Sequence, residues 1–154
     1  MNLPNYFLAD LPAEAALSPA MIAAAADTLK RNREKFLAPR TTDDIVKILC
    51  EVAAEWLQPE NKFRKLALEF GPTETGFSKP ILEKGLDDFF HQFKPGNFQS
   101  LLEQEFGHAQ RLDQFVPGAG EKSKRAAMVR GPELLVHVAA GNLPNPTLMS
   151  LTLG

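Results

Sequence analysis

Apolar residues recur every three or four positions over the first two thirds of the chain, so the pattern predicts a run of helices. Ser18-Pro19 is an N-cap followed by Pro at the first helical position. The first helix runs from there through an alanine cluster to about Phe36, with Ile22, Leu29 and Phe36 on one side, and Pro39 stops it. Thr42 caps the second, with Asp43 and Asp44 in a first turn that favours anions. Its core face is Ile45, Leu49, Val52, Ala53 and Trp56, and Pro59 breaks it. The third covers Glu60 to Phe70, with Phe63, Leu66, Ala67 and Phe70 aligned. Gly71 and Pro72 read as its stop. The fourth starts near Pro80 and carries Ile81, Leu82, Leu86, Phe89, Phe90 and Phe93. After a Pro95-Gly96 turn, Asn97 caps a fifth with Phe98, Leu101, Leu102 and Phe106 as its apolar side.

The periodicity changes after Arg111. Leu112, Phe115 and Val116 suggest a short strand, Pro117 to Lys124 a polar loop, and Ala126 to Val129 a second short strand. Gly131-Pro132 punctuates. Glu133 to Ala140 is then nearly all apolar, as in a strand covered on both faces of a parallel sheet. A tight loop follows, Gly141-Asn142-Leu143-Pro144-Asn145-Pro146. Asn145-Pro146 is another N-cap with Pro at the first helical position, and Leu148, Leu151 and Thr152 fall on one face of a helix start. The fold class is therefore α/β. A helical N-terminal region, 1–111, leads into 112–154, which reads as short strands and the opening of an α/β core that stops soon after it begins.

Composition narrows the partners. At 44% hydrophobic and 23% charged, the chain is ordinary for a water-soluble domain. A net charge of -2 gives no electrostatic reason to expect nucleic acid or an anionic membrane. The basic runs Lys30 to Arg33 and Lys122 to Arg125 read as a solvated helix face and a loop. No apolar stretch approaches the ~20 residues of a membrane span, and Met1 to Asp10 lack the basic and apolar regions of a secretory signal. A single cysteine, Cys50, excludes an internal disulfide and suits a reducing, cytoplasmic setting.

Chemistry concentrates in the last loop. In open α/β sheets ligands bind beyond the carboxyl ends of strands. A glycine there admits close approach to the backbone, and an asparagine offers an amide donor. The loop is neither a GxGxxG fingerprint nor a Walker loop, so spacing alone leaves open a stiff turn whose asparagines cap backbone groups. Cys50 stands mid-helix between Leu49 and Glu51, which favours an inert structural thiol. His91, His108 and His137 lack partners at metal-ligand spacing, so no metal site is expected. Asp87-Asp88 and Glu103/Glu105 read as solvated positions. The phenylalanine-rich faces of the fourth and fifth helices read as core, with an acyl-lining tunnel as the other option.

Glu133 to Gly154, ELLVHVAAGNLPNPTLMSLTLG, resembles the segment that opens the nucleotide-binding core of LuxC-type acyl-CoA reductases. These fatty-acid reductases were first associated with bacterial bioluminescence and are similar to aldehyde dehydrogenases. The resemblance implies NADP(H)-dependent reduction of an acyl-CoA or acyl-carrier-protein thioester to a fatty aldehyde, through a cysteine acyl-enzyme. In the aldehyde dehydrogenase pattern an asparagine is followed two residues on by proline, as Asn142 is by Pro144, and donates its amide to the oxyanion. Ala139, Ala140 and Gly141 would lie along the cofactor. Gly141 replaces the aromatic residue of ordinary aldehyde dehydrogenases, as the LuxC-type pattern tolerates. The family's cysteine lies downstream of this loop, so the chain by itself is expected to be inactive. A homo-oligomer or a fatty-acid reductase complex is the implied setting. The competing expectation is a non-catalytic helical binding or regulatory module ending at Gly154. The apolar stub after Leu148 and an uncovered terminal strand weigh against it.

Overall fold

A computed structural model of the chain describes residues 18–118, 125–137 and 148–149. Residues 18–41 with 131–136 form one compact unit, and the other described residues a second.

In the first unit, helix α1 spans Pro19–Asn32, and Ser18 Oγ accepts a hydrogen bond from the Met21 amide at 3.2 Å. The helix widens into a π-helical turn over Arg33–Leu37 before Pro39 ends it. On the expected apolar side Ala25 is buried and Phe36 half-buried, while Ile22 and Leu29 stay exposed. Lys30 Nζ lies 3.5 Å from Glu133 Oε2 and ties residues 131–136 to this helix.

The second unit holds four helices, α2 (Thr42–Trp56), α3 (Lys62–Thr75), α4 (Lys79–Phe90) and α5 (Pro95–Phe106). Helix α4 packs on α3 and α2, and α5 packs on α2. The core joins Ala53 of α2, Leu68 of α3, and Leu82, Leu86 and Phe90 of α4. The last three recur every four residues, so one face of α4 is buried along its length. Trp56 stacks on Phe90 with ring centroids 5.0 Å apart, and Phe93 meets Phe98 edge-on at 5.4 Å. These aromatic contacts fill the space between helices, which bears out the core reading of the phenylalanines.

Three helix starts or stops differ from the sequence pattern. Thr42 does not cap α2; it is the first helical residue, and its amide and hydroxyl both donate to the Asp113 carboxylate at 2.8–2.9 Å. A remote carboxylate does the capping, where the helix dipole favours it. Lys94, not Asn97, precedes α5, with Pro95 at its first position; Asn97 lies inside and donates to the Gln92 carbonyl at 2.8 Å. Helix α3 runs through Gly71 and Pro72 and ends at Gly76, whose φ of 76° is the left-handed conformation glycine tolerates best. Gly71 serves contact instead. A Cβ there would stand 2.7 Å from Leu82 Cδ1, so the absent side chain lets α3 and α4 approach.

The buried side of α3 also differs. Phe63, Leu66 and Phe70 are 53%, 47% and 57% exposed, while Arg64 and Leu68 are buried. Arg64 binds three elements together. Its Nη1 lies 2.7 Å from Asp87 Oδ1 of α4 and donates to the Trp56 carbonyl at 3.5 Å; its Nη2 lies 3.3 Å from Glu83 Oε1. Asp87 therefore has a structural partner, and Asp88 pairs with Lys84 at 2.6 Å. Removing one partner of a buried pair costs about 3–5 kcal/mol. The Arg64 side chain is 6% exposed but both carboxylates reach solvent, which lowers that figure. Asp87→Ala is expected to destabilise the fold by about 2–3 kcal/mol, and Glu83→Ala by less than about 1 kcal/mol. Urea midpoints of the two variants check the order.

After α5, Gly107 terminates the helix with φ 72°. A 3₁₀ turn over Ala109–Leu112 leads to β1 (Val116–Pro117), which pairs antiparallel with β2 (Ala126–Ala127), Val116 opposite Ala127. Both predicted short strands are thus present, shortened to a two-residue ladder.

Candidate functional site

The route into the Gly-Asn-Leu-Pro-Asn-Pro loop starts at Arg111. One guanidinium nitrogen donates to the Phe106 carbonyl at the end of α5, where a cation suits the helix dipole. The other donates to the Pro117 carbonyl at 3.3 Å. The Arg111 carbonyl accepts from the Val129 amide at 2.8 Å. A single residue thereby fastens the hairpin to the end of the bundle. Sequence reading marked Arg111 only as the place where the pattern changes; its spacing of five residues after Phe106 was the available signal.

Residues 133–137 were expected to begin a strand covered on both faces. Among the described residues they pair with no strand, and Val136 is 80% exposed. A parallel strand takes its ladder and its cover from neighbouring strands and helices, and the described sheet is the β1–β2 hairpin alone. His137, expected to point from that strand, is exposed. Ala139, Ala140, Gly141 and Asn142, the sequence-predicted site residues, lie outside the described residues, as does Asn145-Pro146. The far side of the loop is described at Leu148 and Met149. Both are helical, and Leu148 packs against the Ala53, Leu68, Leu82, Leu86 and Phe90 core. Leu148, one of the three residues expected on one face of a helix start, thus lies against the core built from α2, α3 and α4, and the other two lie outside the described residues.

Other groups that could carry chemistry have structural roles. Cys50 sits on α2, half-buried, and burial raises its thiol above the ordinary range. A thiol kept protonated is a poor nucleophile. His91 Nδ1 lies 2.7 Å from the Asp87 carbonyl within the same helix turn, and His108 Nδ1 accepts from the Gln110 amide at 3.2 Å as the cap of the 3₁₀ turn. Glu103 accepts from Gln99 at 3.0 Å. Among the described residues no group of three His, Cys, Asp or Glu could hold a metal. No helix among them is long and apolar enough to cross a membrane.

Two depressions stand out among the described residues. One of about 500 Å³ is lined by Lys30, Arg31, Glu34, Lys35 and Glu133. Its three cations face two carboxylates, one of them, Glu133, paired with Lys30, so only a single net positive charge remains. The other, about 360 Å³, lies over the α4–α5 turn between Phe93, Phe98, Leu101 and the amides of Gln92 and Asn97. Neither holds a nucleophile or a base within reach of an oxyanion donor, so neither is a catalytic constellation.

Residues 37–154 match a family model described as Acyl-CoA reductase (LuxC). The matched segment takes in α2 to α5, the hairpin and the whole Gly-Asn-Leu-Pro-Asn-Pro loop, and it begins after α1. No curated protein and no solved structure matches the chain.

Proposed function

The chain belongs to the acyl-CoA reductase (LuxC) family, and from that premise we propose that it forms the N-terminal portion of a reductase converting a fatty acyl thioester to the aldehyde. The supporting observation is that the family match runs through the loop bearing Asn142 and Pro144. In the proposed reaction a cysteine thiolate attacks the thioester carbonyl. The carbonyl oxygen takes the negative charge, the carrier thiolate leaves, and an acyl-enzyme forms. NADPH, when bound, supplies the hydride that reduces this acyl group to the aldehyde and frees the cysteine.

This chain contributes the electrostatic half of the site. Asn142 donates its side-chain amide to the oxyanion in both tetrahedral stages, and a preorganised donor costs no reorganisation as charge develops. Pro144 and Pro146 fix two φ angles in the six-residue loop, which limits the freedom of the amide. Ala139, Ala140 and Gly141 present almost no side-chain bulk, which suits close passage of a flat nicotinamide. The α/β core that these residues would open, the acyl-CoA or acyl-carrier-protein partner, and a cytoplasmic setting belong to the same proposal.

The nucleophile is not Cys50, the one cysteine of the 154 residues. Its helical place and raised thiol keep it out of the reaction. The purified 154-residue chain is expected to show no acyl-CoA-dependent NADPH oxidation. In the active reductase that contains this segment, Cys50→Ala is expected to leave kcat within about twofold, because a protonated helical thiol does no chemistry. Turnover by the isolated chain, abolished by Cys50→Ala, would overturn the assignment.

A further inference from the structure

Helix α3 carries an apolar stripe that the helical bundle leaves uncovered. Phe63, Leu66 and Phe70 follow at intervals of three and four, so they share one side of the helix. Arg64, Leu68 and Gly71 take the other side into the core. The stripe is rigid at one end, where Phe63 stacks with Trp56 at 6.5 Å and Lys62 Nζ lies 4.8 Å over the Phe63 ring.

The charges along its outer flank decide what fits it. Lys62 and Glu69 are seven residues apart, two helical turns, so both border the stripe on the same side. Among the described residues neither forms an ion pair within the chain. Lys65, by contrast, is engaged by Glu60. One flank thus shows a cation near the start of the helix and an anion near its middle.

We propose that this face pairs with the same face of a second copy of the chain, the two α3 helices running antiparallel about a two-fold axis near Leu66. A two-fold interface must be self-complementary. Reversing the helix sets Phe63 of each copy beside Phe70 of the other, and Leu66 beside Leu66. It also brings each Lys62 to the other copy's Glu69, giving two symmetric ion pairs. A parallel two-fold pairing would put the two Lys62/Glu69 flanks on opposite sides of the seam, where they could not pair, so the charges favour the antiparallel arrangement. The helix dipoles also oppose favourably. Specific interfaces bury about 800 Å² per partner, and three apolar side chains with two flanking stems supply less. The dimer is therefore weak and concentration-dependent.

The test is sedimentation of the full 154-residue chain over about a hundredfold range of concentration. Wild type is expected to shift from monomer to dimer. Leu66→Glu is expected to stay monomeric; Leu66 is half-exposed, and unchanged circular dichroism confirms that the variant folds. Lys62→Glu and Glu69→Lys should each weaken the dimer about tenfold, since two attractions become two repulsions. The double variant Lys62→Glu/Glu69→Lys should recover wild-type association. A wild-type chain that remains monomeric throughout, as it would if another protein segment covers the stripe, overturns the proposal. So does a dimer that survives Leu66→Glu, or a double variant that fails to recover.

Discussion

Asn142→Ala, made in the active reductase, is expected to lower kcat by about 10²–10³, which corresponds to the ~2.7–4 kcal/mol that a single oxyanion donor contributes in comparable sites. KM should move far less. The amide interacts weakly with a ground-state carbonyl and strongly with the oxyanion, so its loss falls on the step where charge develops. Asn142→Asp should do at least as much damage. It replaces a donor with an acceptor and brings negative charge toward negative charge. Steady-state thioester reduction by the variants checks both. An unchanged kcat would leave Asn142 with the capping role that loop asparagines commonly fill. A rise in KM with kcat intact would make it a substrate-binding residue.

Phe90→Ala should give the largest loss of stability, about 3–5 kcal/mol. Phe90 is 4% exposed at the centre of the core. Its ring stacks on Trp56 at 5.0 Å, meets Phe89 edge-on at 5.0 Å, and tilts against Phe93 at 5.8 Å. Truncation removes those ring pairs, each contributing about 0.5–1.5 kcal/mol beyond area burial. The cavity left lies between α2 and α4, and neither helix can close on it without breaking the Arg64 bridges. Equilibrium urea denaturation followed by Trp56, the sole tryptophan, reads the change beside the altered site. The midpoint should fall with an unchanged slope. Phe70→Ala is the control. It removes the same ring from an exposed position and should cost below about 1 kcal/mol. Equal losses at the two positions would contradict the core assignment.

The bundle was readable where burial and apolar spacing agree. The stripe Leu82, Leu86 and Phe90 follows a four-residue interval and is buried as the pattern expects. Prolines 39 and 59 mark real breaks, because no neighbour supplies the bond or the space that a proline removes there. On α3 the same reasoning selected the wrong face. Counting apolar residues chose Phe63, Leu66, Ala67 and Phe70; Ala67 does pack on the core, but the other three stay exposed while the core accepts Arg64. A guanidinium can be buried when two carboxylates from the next helix meet it, and such a meeting depends on helices 19 and 23 residues away in sequence. Gly71-Pro72 misled for a related reason. Locally it is a stop signal, but Gly71 is required for contact with Leu82, and that contact carries the helix one turn further. The Asp113 cap on Thr42 has no local signature at all. As for the site, Asn142 as a donor is a proposal that rests on family resemblance. The pattern around Asn142 has no chemistry that distinguishes an oxyanion donor from a turn asparagine until the partners are known.

The Asp113 carboxylate and Thr42 are 71 residues apart in the chain yet share three hydrogen bonds, two from the Thr42 amide and one from its hydroxyl. Between them lie α2 to α5 in their entirety, so the pair closes the bundle as a clasp closes a strap. Closing so long a segment has an entropic cost that grows only slowly with length, but it must be met before the bonds return anything. The clasp adds stability only when the helices between its two ends are docked. Once formed, it links the first turn of α2 to the segment that feeds the hairpin. The two ends of the four-helix segment are thereby held together by side-chain bonds as well as by the core.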